Sequence, residues 1–213
     1  VGMSKYRRAL SLDSALATVS FVKDGVSYER EYFISYPANV MAIRYKASRP
    51  GKQNLVFSYA PNPVSTGKMV ADGKNGLLWD ARLDNNDMQY AVRIRAINKG
   101  GSLSNEGGKL TVKDADEVVF LISADTDYKA NNNPDYNDPK TYVGVNPLAT
   151  TQDWVSKAEG KGYAQLREEH YKDYSCLFNR VSLNLNDAAN ANDMPIDERL
   201  ANYRKGAKDF YLE

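Results

Sequence analysis

The single histidine of the chain, His170, is followed three residues later by Asp173. On a helix these two side chains can meet, so the carboxylate could orient the imidazole for proton transfer. The neighbouring residues favour a different interpretation, because His170 lies on an apolar stripe with Tyr174 one turn later. No serine or cysteine nucleophile motif surrounds it, and we predict a packed, hydrogen-bonded structural histidine. The single cysteine, Cys176, is predicted to be a small packing residue on the same helix.

Four aspartates occur in a segment that is also rich in asparagine and proline: Asp125, Asp127, Asp135 and Asp138. Their oxygens could bind calcium, but the spacing does not match an EF-hand loop, because position 129 is Lys129 and no glycine follows at the required place. The same residues could be paired carboxylates for glycoside chemistry, yet nothing in the sequence fixes their separation. We predict a solvated loop with Asx turns.

Fifteen tyrosines and two tryptophans could provide stacking platforms for sugar rings. Most of the aromatic residues fall on alternating strand positions, where core packing explains them. Trp79 is predicted to be core, whereas Trp154 is more open to an interface role. Arg30 is predicted on an apolar sheet face, where it needs a carboxylate partner, an aromatic face or a place at the rim.

Composition excludes several classes of protein. The chain has 213 residues, with 28 Lys plus Arg against 27 Asp plus Glu, which argues against a strongly basic nucleic-acid surface. One cysteine and one histidine exclude an internal disulfide and multi-ligand Cys or His metal sites within the chain. Phosphate loops, dinucleotide fingerprints and zinc motifs are absent, as is an apolar run of about 20 residues. We predict no catalytic, cofactor or metal residues here, and no membrane or nucleic-acid partner.

The first 128 residues alternate apolar and polar side chains, the pattern of β-strands. Asp24-Gly25 suits a two-residue hairpin turn, because both positions require positive φ. The register that follows places three pairs on one apolar face: Phe21 with Tyr28, Ala17 with Tyr32, and Ala15 with Ile34. Further strands are predicted around Met41–Ala47, Leu55–Tyr59, Leu77–Leu83, Tyr90–Ala96, Leu110–Val112 and Val118–Ile122. The last run is continuously apolar, as expected for a strand buried on both faces, and the whole predicts an antiparallel sandwich or barrel.

Beyond an irregular loop from Asp125 to Pro147, apolar residues recur every three or four positions. One predicted helix begins near Leu148 and ends at Gly160 and Gly162, and a second carries the stripe from Tyr163 to Leu177. A short strand at 182–186, a loop at 187–193 and a last short helix over 196–203 complete the prediction. The fold class is therefore mainly β with C-terminal helices.

Several segments, in the same order, resemble the amino-terminal region of glycoside hydrolase family 95, the inverting α-L-fucosidases. They are Tyr6–Ala15, Asp24–Phe33, Ser35–Pro37, Ser123–Tyr128, His170–Tyr174, Phe178–Leu183 and Asp197–Leu200. The resemblance implies a β-sandwich of the super-sandwich type over residues 1–128, followed by a loop and helical linker over 129–213. It also implies a parent enzyme that is secreted or periplasmic and acts on fucosylated glycans.

In that family the general acid and the base machinery lie in a helical barrel, and no position here matches their motifs. We therefore expect a non-catalytic piece of a longer enzyme, incomplete at the start of its sandwich and lacking the barrel. Two alternatives stay open: a stand-alone carbohydrate-binding module, and a structural interaction domain. Self-association through open strand edges is a further expectation.

Overall fold

The computed structural model describes residues 2–182 and 194–209. In these residues, eleven β-strands precede two α-helices. The strands are β1 (Ser4–Ser11), β2 (Leu16–Lys23), β3 (Val26–Ser35), β4 (Val40–Ala47), β5 (Gln53–Ser58), β6 (Ser65–Ala71), β7 (Gly76–Leu83), β8 (Gln89–Lys99), β9 (Ser102–Glu106), β10 (Lys109–Ala115) and β11 (Glu117–Thr126). The helices are α1 (Pro147–Phe178) and α2 (Ile196–Arg204).

The strands form two antiparallel sheets. The larger sheet has the order β1-β2-β3-β4-β11-β8-β7-β6, and the smaller sheet has the order β5-β10-β9. One face of the larger sheet packs on the smaller sheet, and α1 covers apolar residues on the opposite face. The predicted fold class, an antiparallel sandwich followed by helices, is confirmed.

Strand β11 lies in the middle of the larger sheet and is buried on both faces, as its continuous apolar run predicts. Val118 and Phe120 pack in the core shared with the smaller sheet. Val119 and Leu121 alternate with them and pack beneath α1. The alternation of side chains along a strand thus joins the two cores through one element.

The predicted β2–β3 hairpin is confirmed in its turn and in two of its three pairs. Phe21 aligns with Tyr28, and Ala17 aligns with Tyr32. The third pair is wrong: the aligned residues of β2 and β3 end at Ala17 and Tyr32, Ala15 precedes β2, and Ile34 is 70% exposed. The opposite face of β3 lies beneath α1, and the alternate residues are buried there. Those buried residues are Glu31, Phe33 and Ser35.

Strands β1, β6 and β9 lack a marked apolar alternation and were not predicted individually. Each lies at an edge of its sheet, and most of its residues are exposed or half-buried. A strand that buries few side chains does not need alternate apolar residues, so the pattern that reveals buried strands is weak in these three.

Helix α1 is interrupted at Gly162, whose φ of 75° and ψ of 163° are not helical. The predicted break is therefore confirmed at Gly162, whereas Gly160 stays within the first helical part. The face turned to the sheet carries the buried residues Val155, Ala158, Leu166 and His170. The chain divides into the units Val1–Leu177 and Phe178–Glu213.

Within the second unit, α2 matches the predicted last helix, with Asp197 and Glu198 in its first turn and Arg204 in its last. That order of charges complements the helix dipole. The predicted strand and loop between Ser182 and Asp193 fall almost entirely on residues outside the described ranges. Neither described helix combines the length and the apolar character that crossing a membrane requires.

Candidate functional site

The segment 127–146 runs from the end of β11 to the start of α1 and folds back on itself. Tyr128 and Val143 form an isolated antiparallel bridge. The backbone N–H of Lys129 donates to the carbonyl of Tyr142 at 2.7 Å. These contacts hold the two ends of the segment side by side, beside the β7–β8 hairpin.

The tip of this segment is built from Asx turns, as predicted. Asp135 Oδ1 accepts from the backbone of Asn137 at 2.9 Å, and Asp138 Oδ1 accepts from that of Lys140 at 2.8 Å. Within residues 2–182 and 194–209, no three His, Cys, Asp or Glu side chains are grouped so that they could hold a metal ion. The carboxylates of the tip therefore serve backbone turns.

Two tyrosines lie on this segment as a stacked pair. The ring centroids of Tyr128 and Tyr142 are 5.9 Å apart, and the planes differ by 20°. Tyr128 is 58% exposed and Tyr142 is 36% exposed. Both tyrosines therefore stay partly exposed although they stack on each other.

The tyrosine pair forms one wall of a cavity of about 770 Å³. The opposite wall is the β7–β8 hairpin, with Arg82, Asp87 and Gln89 among its lining residues. Asp127 also lines the cavity and is 8% exposed. Volumes of roughly 300–1,000 Å³ are typical of ligand pockets.

Hydrogen bonds fix these walls. Asp127 Oδ1 accepts from the backbone N–H of Gln89 at 3.1 Å, and Gln89 Nε2 donates to Asp80 Oδ1 at 3.0 Å. Arg82 donates to the carbonyl of Asp87 at 2.9 Å and to its carboxylate at 3.2 Å. Both acidic residues that line the cavity are therefore bound within its walls, and the arrangement suits binding better than acid–base chemistry.

His170 is a structural residue, as predicted. Its Nε2 lies 3.0 Å from the carbonyl oxygen of Ser14. The ring stacks on Phe33 with centroids 4.9 Å apart, and Tyr174 stacks at 6.2 Å. The histidine thus joins α1 to the sheet and to the turn before β2.

The predictions for the two tryptophans and the cysteine have different outcomes. Trp79 is buried and donates from Nε1 to the hydroxyl of Tyr90 at 2.9 Å, which confirms the core prediction. Trp154 is half-buried, and its interface role stays a prediction. Cys176 lies on an exposed part of α1, and its role as a packing residue stays a prediction.

Arg30 finds the aromatic partner that its position requires. Its guanidinium lies 5.3 Å from the ring centroid of Phe21 and 5.1 Å from that of Tyr45. Cation–π contact between two rings explains how an arginine is accommodated on this face.

Sequence reasoning missed a polar network between the larger sheet and α1. Arg44 donates to Glu31 at 3.0 Å and to Glu117 at 2.9 Å, and its guanidinium lies 5.0 Å from the ring centroid of Tyr163. Burial alone would lower the pKa of Arg44, but the hydrogen bonds to Glu117 and Glu31 outweigh it and raise that pKa. Burial, and then the hydrogen bond to Glu31, raise the pKa of the Tyr163 hydroxyl.

A second network lies on the same face of the sheet. Asp72 pairs with Arg93 at 2.8 Å and with Arg95 at 2.9 Å. Arg95 also faces Glu159 of α1, whose carboxylate accepts from Asn75 Nδ2 at 3.2 Å. Both arginines are buried, and charged residues at alternate positions of an apolar strand are the signal that could have revealed this network.

Residues 2–131 match the family model described as "Glycosyl hydrolase family 65, N-terminal domain". This match covers more than half of the chain, and the chain belongs to that family. Residues 162–213 match the model described as "Glycosyl hydrolase family 95 catalytic domain", a match that begins at the break in α1. The second match overlaps the predicted linker, and the division at residue 128 stays a prediction.

Curated relatives agree with the resemblance drawn from the motifs, which is thereby confirmed. The chain is 30% identical to "Probable alpha-fucosidase A" of Aspergillus niger, over 98% of this chain and 26% of that protein. It is 27% identical to "Alpha-L-fucosidase 2" of Arabidopsis thaliana, over 87% of this chain and 24% of that protein. The chain thus spans about a quarter of the length of these relatives.

A solved structure has the same fold. "Putative kojibiose phosphorylase from human microbiome" superposes with a TM-score of 0.50 at 12% identity, over 82% of this chain and 25% of that chain. At this identity the likeness concerns the fold alone.

Proposed function

We propose that this chain is the non-catalytic N-terminal region of a glycoside hydrolase that cleaves terminal α-L-fucosyl linkages in glycans with inversion. The observation that carries the proposal is the match, over nearly the whole chain, to proteins named α-fucosidases of which it spans only about a quarter. The bond-breaking groups are then supplied by polypeptide beyond this region.

The state of the carboxylates supports a non-catalytic role. An inverting glycosidase needs an acid and a base about 6.5–9.5 Å apart, with room for a water molecule. Glu31 and Glu117 are tied to Arg44, and Asp72 is tied to two buried arginines. Carboxylates held in this way stabilise the helix–sheet contact and are not available to a substrate.

The role of the region is then mechanical support. Leu166, Val155 and Ala158 are buried against the larger sheet, and the two polar networks fix the position of α1 along it. A helix held by both apolar and directional contacts is a rigid base for the catalytic region that we propose.

Two assays test the proposal. The chain alone should release no nitrophenol from an aryl α-L-fucoside, and the product of the longest reading frame containing it should release β-L-fucose first, observed by NMR. Turnover by the chain alone that Asp87→Asn or Asp127→Asn abolishes contradicts the non-catalytic role. A reading-frame product that leaves the fucoside intact contradicts the parent activity.

Self-association through open edges is a separate proposal about partners. The edges of the larger sheet are β1 and β6. Strand β1 carries Lys5, Arg7 and Arg8 and a register irregularity, features that oppose edge pairing, so β6 is the edge we propose for contact between copies. Light scattering that shows a strict monomer at high concentration contradicts it.

A further inference from the structure

We propose that the cavity between the β7–β8 hairpin and the segment 127–146 binds a neutral oligosaccharide, with one sugar ring stacked against the Tyr128–Tyr142 pair. The site lies wholly within the first unit of the chain, and its chemistry can be argued from its lining alone. Only the choice of fucosylated sugars as first probes rests on the proposed function.

The tyrosine pair supplies the apolar contact that a sugar ring needs. Each sugar has a face of C–H groups and a rim of hydroxyls, and an aromatic ring offers a matching apolar face with a polar edge. Because Tyr128 and Tyr142 stack on each other, the pair is a rigid surface rather than two independent side chains. A preorganised surface loses little conformational freedom when a ligand binds.

The lining also offers hydrogen-bond groups that the walls leave unused. Asn86 Oδ1 accepts from the backbone of Met88, and Asn146 Oδ1 accepts from that of Leu148. The Nδ2 groups of both asparagines have no hydrogen-bond partner among the described residues, and an amide has two donors there. Two asparagine donors in one cavity suit the hydroxyl oxygens of a sugar.

The charges of the lining give an anionic ligand no advantage over a neutral one. The charged residues of the lining are Arg82 and Lys140 against Asp87 and Asp127, two of each sign. Arg82 is already paired with Asp87, so it is not an open phosphate or sulfate clamp. The balanced lining offers no net attraction to a carboxylate, sulfate or phosphate group.

The test is a titration of the ¹⁵N-labelled chain with 2′-fucosyllactose, lactose and 3′-sialyllactose. The neutral sugars should shift the amide signals of Gln89, Tyr128, Tyr142 and Asn146, and the acidic sugar should shift them no more than lactose does. Tyr142→Ala should weaken binding roughly three- to tenfold, since it removes one stacked ring. Tyr142→Phe, which keeps the ring, should retain binding.

Tyr36→Ala is the matched control, because Tyr36 is 79% exposed and does not line the cavity. The proposal is overturned if no sugar shifts these amides at its highest soluble concentration. Shifts that lie elsewhere, or that persist unchanged in Tyr142→Ala, also overturn it. If Tyr142→Ala disturbs the fold, the map of shifted amides in the unaltered chain still shows whether the sugar binds at the cavity.

The same experiment separates this inference from the proposed function. Binding of lactose without any preference for the fucosylated sugar supports the cavity and removes its link to fucosides. Binding at the cavity together with a reading-frame product that leaves aryl fucosides intact supports the cavity and contradicts the parent activity.

Discussion

The hydroxyl of Tyr163 donates a hydrogen bond of 2.8 Å to Glu31 Oε2, across 132 positions of the sequence. Glu31 lies on β3 and Tyr163 follows the break in α1, so this contact joins the sheet to the second helical part. Arg44 completes the arrangement by pairing with Glu31 and stacking on Tyr163. These three residues form one of the two polar networks between the larger sheet and α1.

Replacement of Glu31 by glutamine should lower the free energy of unfolding by about 2 kcal/mol, because Arg44 loses a buried carboxylate partner. Urea unfolding followed by tyrosine and tryptophan fluorescence measures the change. Glu168→Gln is the matched control, because Glu168 pairs with Lys172 on the exposed side of α1, and the loss should stay below about 0.5 kcal/mol. Equal effects of the two variants contradict the role assigned to Glu31.

Stability should fall with rising pH more steeply in the unaltered chain than in Tyr163→Phe. Burial and the hydrogen bond to Glu31 raise the pKa of Tyr163 in the folded chain, whereas an unfolded tyrosine titrates near about pH 10. Above that pH the hydroxyl of Tyr163 loses its proton in the unfolded chain before it does so in the folded chain. The contribution of Tyr163 to the free energy of unfolding is therefore complete below about pH 10 and is lost progressively above it.

The slope of the free energy of unfolding against pH, measured between neutral and strongly alkaline buffers, checks this expectation. Tyr136→Phe removes a hydroxyl from a residue that is 86% exposed, and it should leave the slope of the unaltered chain unchanged. Parallel slopes for the unaltered chain and Tyr163→Phe speak against the assignment.

Gly162→Ala should destabilise the chain by about 1–3 kcal/mol, because the φ and ψ of Gly162 lie in a region open almost only to glycine. Apart from the adjoining backbone of the chain, no atom lies within 4 Å of a Cβ added at Gly162 or at Gly160, so crowding does not contribute. Gly160 is helical, and Gly160→Ala should stabilise by about 0.5–1 kcal/mol. Thermal unfolding by circular dichroism should thus move in opposite directions for two neighbouring glycines, and a shift in one direction for both refutes the break.

Leu166→Ala should cost about 2–5 kcal/mol, because this side chain is fully buried beneath the larger sheet. Leu177 lies on the same helix and is 59% exposed, so Leu177→Ala should cost below about 1 kcal/mol. Urea unfolding of both variants compares them. A small loss for Leu166→Ala shows that the second part of α1 is not part of the core.

The central strands could be predicted because burial on one or both faces imposes a readable pattern. Phe21 and Tyr28 reveal the hairpin, and the apolar run of β11 reveals its position between two layers. Strands β1, β6 and β9 escape prediction because most of their residues are exposed or half-buried, whereas the edge strand β5 keeps Leu55 and Phe57 against the core and shows the pattern. The exposure of Ile34 does not follow from the sequence, because alternation shows which residues share a face of a strand but not how far along the strand that face is covered.

The candidate cavity was harder to predict. Tyr128 and Tyr142 are 14 positions apart in the sequence, and they meet only because the segment between them closes on a backbone bridge. The partners of Arg93 and Arg95 come from the turn after β6 and from α1, which no local spacing identifies. Tertiary closure, rather than residue type, creates both features.

The central place of β11 has a consequence for how the sandwich is made on the ribosome. Strands β1–β4 and β6–β8 form two halves of the larger sheet, and β11 is the strand that pairs with both halves, through β4 and β8. Because β11 is the last of these strands to be synthesised, the edges at β4 and β8 stay unpaired until β11 has been translated. Such waiting intermediates are exposed to aggregation, so slow translation upstream of β11 should reduce the yield of soluble protein.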